Sequence, residues 1–126
     1  MFREVCEEEG NRERREHLLL IRTSKPATRP IVDFYTERLT AAVRKAISQL
    51  RSKGTIVCSC GATSPNIRLL LPNGMVADVH CIHRMVFHRN EVPHSELDKI
   101  NSLRFGEEKP TDSELILPPT TNRGWG

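Results

Sequence analysis

The sequence predicts a small α+β domain, and three observations support this fold class. A basic segment in the first half has apolar residues at helical spacing. An Asn-Gly pair joins two short apolar runs, which is typical of a β-hairpin. Cysteines and histidines are concentrated between residues 58 and 88. We therefore expect a long amphipathic helix packed on a β-hairpin and two shorter helices, with a metal site among them.

Length and composition exclude several classes of protein. With 126 residues, the chain has room for one sizeable hydrophobic core. Aromatic residues make up 5% of the chain, so the core must consist mainly of Leu, Ile, Val and Ala. No stretch approaches the ~20 apolar residues that a membrane-spanning helix needs. Acidic residues stand where a secretory signal would have an apolar run, and we expect a cytoplasmic protein.

Changes in composition divide the chain into three parts. Residues 1–16 are charged and lack apolar periodicity, which predicts a flexible arm. Residues 17–105 contain the periodic segments and form the predicted single α+β domain with its metal site. Residues 106–126 are polar and contain prolines, which predicts an extended tail.

The longest predicted element is a helix over about Pro30–Lys53. Apolar residues recur near helical spacing through this segment, and basic side chains lie between them. Thr28 or Asp33 can cap its start, and Gly54 stands where a left-handed residue often ends a helix. The pattern is typical of an amphipathic helix that covers a core.

A β-hairpin follows the predicted helix. Ile67–Leu71 and Met75–Val79 are apolar runs that flank the Asn73-Gly74 pair. Asp78 can then cap a helix over Val79–Asn90, and a third, shorter helix begins near Ser95. The segment before the hairpin is β-branched and ends in a tight turn that contains two cysteines.

The cysteines and histidines of this region are the candidate functional residues. Six of the nine in the chain fall within 31 residues, and they are Cys58, Cys60, His80, Cys81, His83 and His88. In the turn Cys58-Ser59-Cys60-Gly61, backbone N–H groups can approach two thiolates. His80 and His83 are three residues apart at the predicted helix start, so both imidazoles project from one side. Two thiolates and two imidazoles form a ligand set that suits Zn²⁺.

The sequence leaves the fourth ligand open. On a helix, Cys81 points about 100° away from His80, whereas on a strand Cys81 and His83 would share a face. Either His80 with His83, or Cys81 with His83, can therefore complete the site with the two cysteines of the turn. His88 lies too far along the predicted helix to join His83 easily, and we expect it to be a partly exposed surface residue.

The order of cysteine turn, hairpin and helix resembles a treble-clef zinc finger over residues 56–90. In that group, the first turn of the helix supplies the second pair of ligands. This chain departs from the usual pattern, because one residue rather than two separates Cys58 from Cys60, and histidines replace the second pair of cysteines. The resemblance is topological, and it implies a zinc ion between the Cys58/Cys60 turn and the start of the helix.

Two functions follow from such a site. In the first, a closed four-ligand zinc site stabilises the domain, which binds a protein or a nucleic acid through another surface. In the second, three ligands leave a position for an activated water, as in a metal-dependent hydrolase or nuclease. Asp78, Glu91 or His88 would then serve as the general base.

A third function is nucleic-acid binding through the basic centre of the chain. Residues 17–90 carry eleven basic and three acidic side chains, whereas the two ends together are acidic. The candidate phosphate contacts are Arg38, Arg44, Lys45, Arg51, Lys53, Arg84 and Arg89. Such clusters of charged residues often form only a solvent-exposed surface without a binding role. Aromatic residues are scarce among them, so stacking on single-stranded bases has little support.

Overall fold

The computed structural model describes residues 16–119. Apart from Glu16, the predicted arm with its Cys6 lies outside this range, as do residues 120–126 of the predicted tail. The elements in chain order are α1 (Phe34–Arg44), β1 (Ser48–Val57), β2 (Thr63–Leu70), β3 (Val76–Asp78), α2 (Cys81–Phe87), a 3₁₀ turn (Arg89–Glu91), α3 (His94–Asn101) and α4 (Asp112–Leu115). The mixed α/β class is confirmed by a three-stranded antiparallel sheet and several helices. No helix within the described range has both the length and the apolar character needed to cross a bilayer.

The predicted long helix is wrong in its second half. Helix α1 ends at Arg44, and the residues predicted to continue it to Lys53 form β1 instead. Ile47 and Leu50, two apolar residues of the predicted helix, are 66% and 58% exposed. The segment contains serines and a glycine, which are weaker helix formers, and pairing with β2 supplies its backbone hydrogen bonds. Gly54 lies within β1, where the pairing register shifts, and does not end a helix.

Asp33, one of the two predicted caps, is the N-cap of α1 and also fixes the helix to its neighbour. Its carboxylate accepts a hydrogen bond from the Thr36 N–H, and the Thr36 hydroxyl accepts one from the Asp33 N–H. Arg89 donates from two nitrogens to the two carboxylate oxygens of Asp33, each at 2.8 Å. The Arg89 guanidinium holds the pKa of the Asp33 carboxyl below its usual range. This pair ties the start of α1 to the turn that follows α2.

The sheet places the cysteine turn at one of its ends. Strands β2 and β3 form the predicted hairpin around Asn73-Gly74, where Gly74 has a φ of +93° that favours glycine. Strands β1 and β2 also pair antiparallel, with Val57 opposite Thr63. The chain between these two residues contains Cys58 and Cys60, so both cysteines lie in the connection from β1 to β2.

Helix α2, one of the two shorter helices, is buried along its length and carries His83. All seven of its residues are buried. The core around it includes Leu18, Leu19, Leu39, Leu71 and Ile100. Asp78, which precedes the helix, accepts a hydrogen bond from the His80 N–H. Its carboxylate Oδ1 also lies 2.9 Å from Nη1 of Arg84 within the helix, and the two side chains form a buried ion pair. Removing one member of such a buried pair is strongly destabilising, because the other is left as an uncompensated charge.

The last described segment packs back onto the helices. Residues 106–119 include the one-turn helix α4, in which Thr111 and Glu114 form a capping box. Arg44 at the end of α1 donates to the Glu114 carboxylate and to the Lys109 carbonyl, and it also pairs with Glu108. These contacts hold the described part of the predicted tail against α1.

Replacing Asp33 with alanine should lower the free energy of unfolding by about 1–2 kcal/mol, because α1 loses its cap and Arg89 loses its partner. Urea denaturation followed by circular dichroism measures this change. Asp98→Ala on α3 is the matched control, since the Asp98 side chain is exposed, and we expect a change of less than about 0.5 kcal/mol. Equal stability of the two variants would contradict the capping role.

Candidate metal centre

Four side chains from two parts of the chain meet at one point. The sulfur atoms of Cys58 and Cys60 and one ring nitrogen each of His83 and His88 lie within 4.8 Å of one another. Cys58 Sγ is 3.1 Å from His88 Nε2, and Cys60 Sγ is 3.3 Å from His83 Nε2. Three of the four residues are buried and Cys60 is half-buried. The cluster could therefore hold a metal ion.

The separation of these atoms is close to that of ligands around one tetrahedral ion. Zinc binds sulfur at about 2.3 Å and nitrogen at about 2.0–2.1 Å, which places the two kinds of ligand roughly 3.5 Å apart. The measured sulfur–nitrogen distances of 3.1 and 3.3 Å are a little shorter. Small movements of the four side chains would therefore make room for an ion between them.

The turn between β1 and β2 brings the cysteines to the site. The Cys58 N–H donates to the Ala62 carbonyl, and the Gly61 N–H donates to the Cys58 carbonyl, which closes a tight loop. Gly61 has a φ of +95°, and a Cβ added there would lie 3.3 Å from Pro119 Cγ. Glycine therefore suits this position both in conformation and in space.

Main-chain carbonyls fix the protonation of His83. Its Nδ1 lies 2.6 Å from the Ile116 carbonyl oxygen and 3.1 Å from that of Leu115. Carbonyl oxygens only accept hydrogen bonds, so Nδ1 carries the proton and Nε2 directs its lone pair toward Cys60. Ile116 has a φ of +53°, a left-handed conformation that is unfavourable for a β-branched residue. Strain of this kind costs about 1–3 kcal/mol and is concentrated at functional sites.

His88 is not the partly exposed surface residue that the sequence predicts. It is 1% exposed. Helix α2 ends at Phe87, and the His88 backbone leaves the helical region with φ −130° and ψ 36°, so its ring does not follow the helical spacing from His83. The sequence does hold a signal for this residue. Four residues lie between His83 and His88, and pairs of zinc-binding histidines commonly have about three to five residues between them.

Glu91 faces the other side of the His88 ring. The N–H groups of Ser24 and Lys25 donate to its carboxylate at 2.8 and 3.2 Å and hold the pKa of Glu91 below its usual range. His88 Nδ1 is 3.5 Å from Glu91 Oε2, which is longer than an ordinary hydrogen bond, and no other acceptor in the described chain bonds to it. A nearby carboxylate favours the proton on Nδ1 and leaves Nε2 free to bind a metal. Glu91, suggested by the sequence as a general base, is thus positioned to orient His88.

Burial opposes charge on the ligand side chains. It lowers the pKa of both His83 and His88, so both are neutral imidazoles near pH 7, which is the form that binds metals. Burial raises the pKa of the Cys60 thiol, and the neighbouring Cys58 raises it further, although the Ala62 N–H has the opposite effect. A shared cation would stabilise the thiolate and offset this cost.

His80 and Cys81, which the sequence offers as alternative fourth ligands, lie outside this group of four. His80 is the N-cap residue of α2, and its ring packs against that of His83 with 4.5 Å between the ring centroids. His80 Nδ1 is 2.9 Å from the Ser64 hydroxyl, and burial lowers the His80 pKa to about 3. Cys81 is fully buried in the core, where desolvation raises the pKa of its thiol.

Most of the predicted nucleic-acid contacts are engaged within the described chain. Carbonyls or carboxylates of the protein bind the side chains of Arg38, Arg44, Lys45, Arg84 and Arg89. Arg51 and Lys53 lie on the exposed strand β1. The basic centre is therefore mainly a set of internal contacts, with these two side chains left on the surface.

Comparison with known proteins gives no relative from which to infer a function. No family model, curated protein or solved structure matches the chain. We therefore infer function from the residues of the cluster and their surroundings.

Proposed function

We propose that the protein binds one Zn²⁺ ion through Cys58, Cys60, His83 and His88, and that this ion is structural. The convergence of two sulfur and two nitrogen atoms within 4.8 Å is the main support. Two thiolates and two imidazoles make a standard closed zinc site. Sulfur ligands favour zinc over magnesium and calcium, which prefer oxygen.

An ion in this position would join four parts of the chain. The β1–β2 turn supplies the cysteines, and α2 with the residue after it supplies the histidines. Behind the ligands, Ile116 contacts His83, and Glu91 links His88 to Ser24. Zinc binding contributes about 10–16 kcal/mol in zinc-finger peptides, against a total stability of about 5–15 kcal/mol for a typical domain. Loss of the ion should therefore destabilise the whole domain.

The treble-clef-like interpretation is part of this proposal. The order of cysteine turn, β2–β3 hairpin and α2 supports it. The histidines depart from the usual arrangement, because His83 lies within α2 and His88 follows its end. A buried ion of this kind leaves the protein surface available to bind other molecules. We propose an interaction role in the cytoplasm with a protein or nucleic-acid partner.

A metal-dependent hydrolase or nuclease has less support. Four protein ligands fill a tetrahedral shell and leave no position for an activated water. Asp78 is paired with Arg84, and the Glu91 carboxylate is held by backbone N–H groups. His88 belongs to the ligand set itself. Each candidate general base therefore has another role.

Nucleic-acid binding through the basic centre also has less support. Five of its seven predicted side chains bind groups of the protein itself. Arg51 and Lys53 remain, and two charges give only a weak, salt-sensitive attraction to phosphate.

The purified protein should contain about one zinc ion per chain by elemental analysis. Cys58→Ser and His83→Ala should each lose most of the zinc, because three remaining ligands hold the ion more weakly. Cys81→Ser is the control, since Cys81 is buried but lies outside the cluster, and it should retain zinc. Removing zinc with a chelator should abolish the cooperative thermal transition seen by circular dichroism. An unchanged melting temperature would refute a structural role.

His88→Ala and His80→Ala distinguish the histidine that lies in the cluster from the histidine that the sequence offers as the fourth ligand. Loss of an outer partner of a metal ligand costs about 10–100-fold in affinity, so we expect His88→Ala to weaken zinc binding by at least about 100-fold. His80→Ala should leave the affinity nearly unchanged. Both variants remove a buried imidazole, so the loss of packing is matched. Competition with a chromophoric chelator measures the affinities, and the reverse ranking would contradict the assignment of His88.

A further inference from the structure

A polar cavity of about 450 Å³ adjoins the metal centre. It lies between residues 21–23 and the end of β1, and Cys58 forms part of its wall. Its volume is within the range of small-molecule sites, about 300–1,000 Å³. The described residues that line it include two arginines and no acidic side chain. This half-open cavity therefore offers positive charge to a ligand from solvent.

Arg84 contributes a buried guanidinium with unused donors. Its side chain is 9% exposed, and Nη1 donates to the Leu19 carbonyl and to both oxygens of Asp78. The guanidinium has further N–H donors on Nε and Nη2, and no acceptor within residues 16–119 bonds to them. These two nitrogens are not among the fully buried unpartnered atoms. Arg84 is one of the residues that line the cavity.

Arg22 supplies the net positive charge. Asp78 balances the charge of Arg84, whereas the exposed Arg22 has no carboxylate within ion-pair distance in the described chain. The hydroxyls on the wall are already engaged, because Ser59 donates to the Lys25 carbonyl and Thr23 bonds to Ser59. The two arginines are therefore the groups available to a ligand.

We propose that this cavity binds a small organic anion through a phosphate or carboxylate group held between Arg22 and Arg84. Arginine suits such oxyanions because its planar fork can donate parallel hydrogen bonds to two oxygens. Ile21 and Ile56 provide apolar wall for the remainder of the ligand. The proposal depends on the zinc site only in requiring the folded domain.

Titration of the zinc-loaded protein with inorganic phosphate, and separately with acetate, tests this proposal by NMR. We expect saturable chemical-shift changes in the amides of residues 21–23 and 56–59 and in the side-chain Nε–H of Arg84. A response to phosphate alone identifies a phosphate ligand, and a response to acetate alone identifies a carboxylate. Sodium chloride at the same ionic strength should leave these signals unchanged. Equal responses to chloride, or none to either oxyanion, would overturn the proposal.

Two exposed arginines provide a matched pair of variants. Arg22→Gln should weaken binding of the responding oxyanion by about tenfold, through loss of a charge-assisted hydrogen bond. Arg29→Gln should have no effect, because Arg29 is exposed and does not line the cavity. Arg84→Lys tests the buried partner, and if it does not fold, the Arg22 comparison still decides. Equal affinities of Arg22→Gln and Arg29→Gln would overturn the proposal.

Zinc analysis of the same samples separates the two proposals. Bound zinc without a site-specific response to either oxyanion refutes the anion site alone. A response at the cavity in protein that folds without zinc supports the anion site and refutes the structural zinc.

Discussion

Two thiols and two imidazoles are packed against one another inside a small domain, where they could share one metal ion. Cys58 contacts His88 and Cys60 contacts His83, at distances slightly shorter than those between ligands of one zinc ion. Burial disfavours the charged forms of Cys60, His83 and His88, and a cation between the side chains would offset that cost for the thiolate. The Ile116 carbonyl and the Glu91 carboxylate favour the tautomers that direct both Nε2 atoms inward.

The remaining elements are connected through this point. Ser24 and Lys25 hold Glu91 behind His88, and Arg89 joins the next turn to Asp33 at the start of α1. The cysteine turn fixes the end of the sheet, and α4 with its following residue closes over His83. With aromatic residues at 5% of the chain, apolar burial alone gives such a domain a modest core. A metal centre that links four segments would supplement it.

Local features could be predicted from the sequence, whereas features set by distant pairing could not. The cysteine turn and the Asn73-Gly74 hairpin depend on residues close together in the chain. The end of α1 depends on β2, because Ser48–Val57 becomes a strand only by pairing with it. The burial of the His88 side chain in the cluster depends on where α2 ends, which is at Phe87. The charge count of the basic centre likewise does not reveal that Arg44 meets Glu114, which is 70 residues away.

X-ray absorption at the zinc edge of the purified protein tests the central claim most directly. Coordination by Cys58, Cys60, His83 and His88 predicts two sulfur neighbours at about 2.3 Å and two nitrogen neighbours at about 2.0–2.1 Å, with imidazole scattering beyond them. A shell with a single sulfur, or one completed by water oxygen, would contradict the closed site.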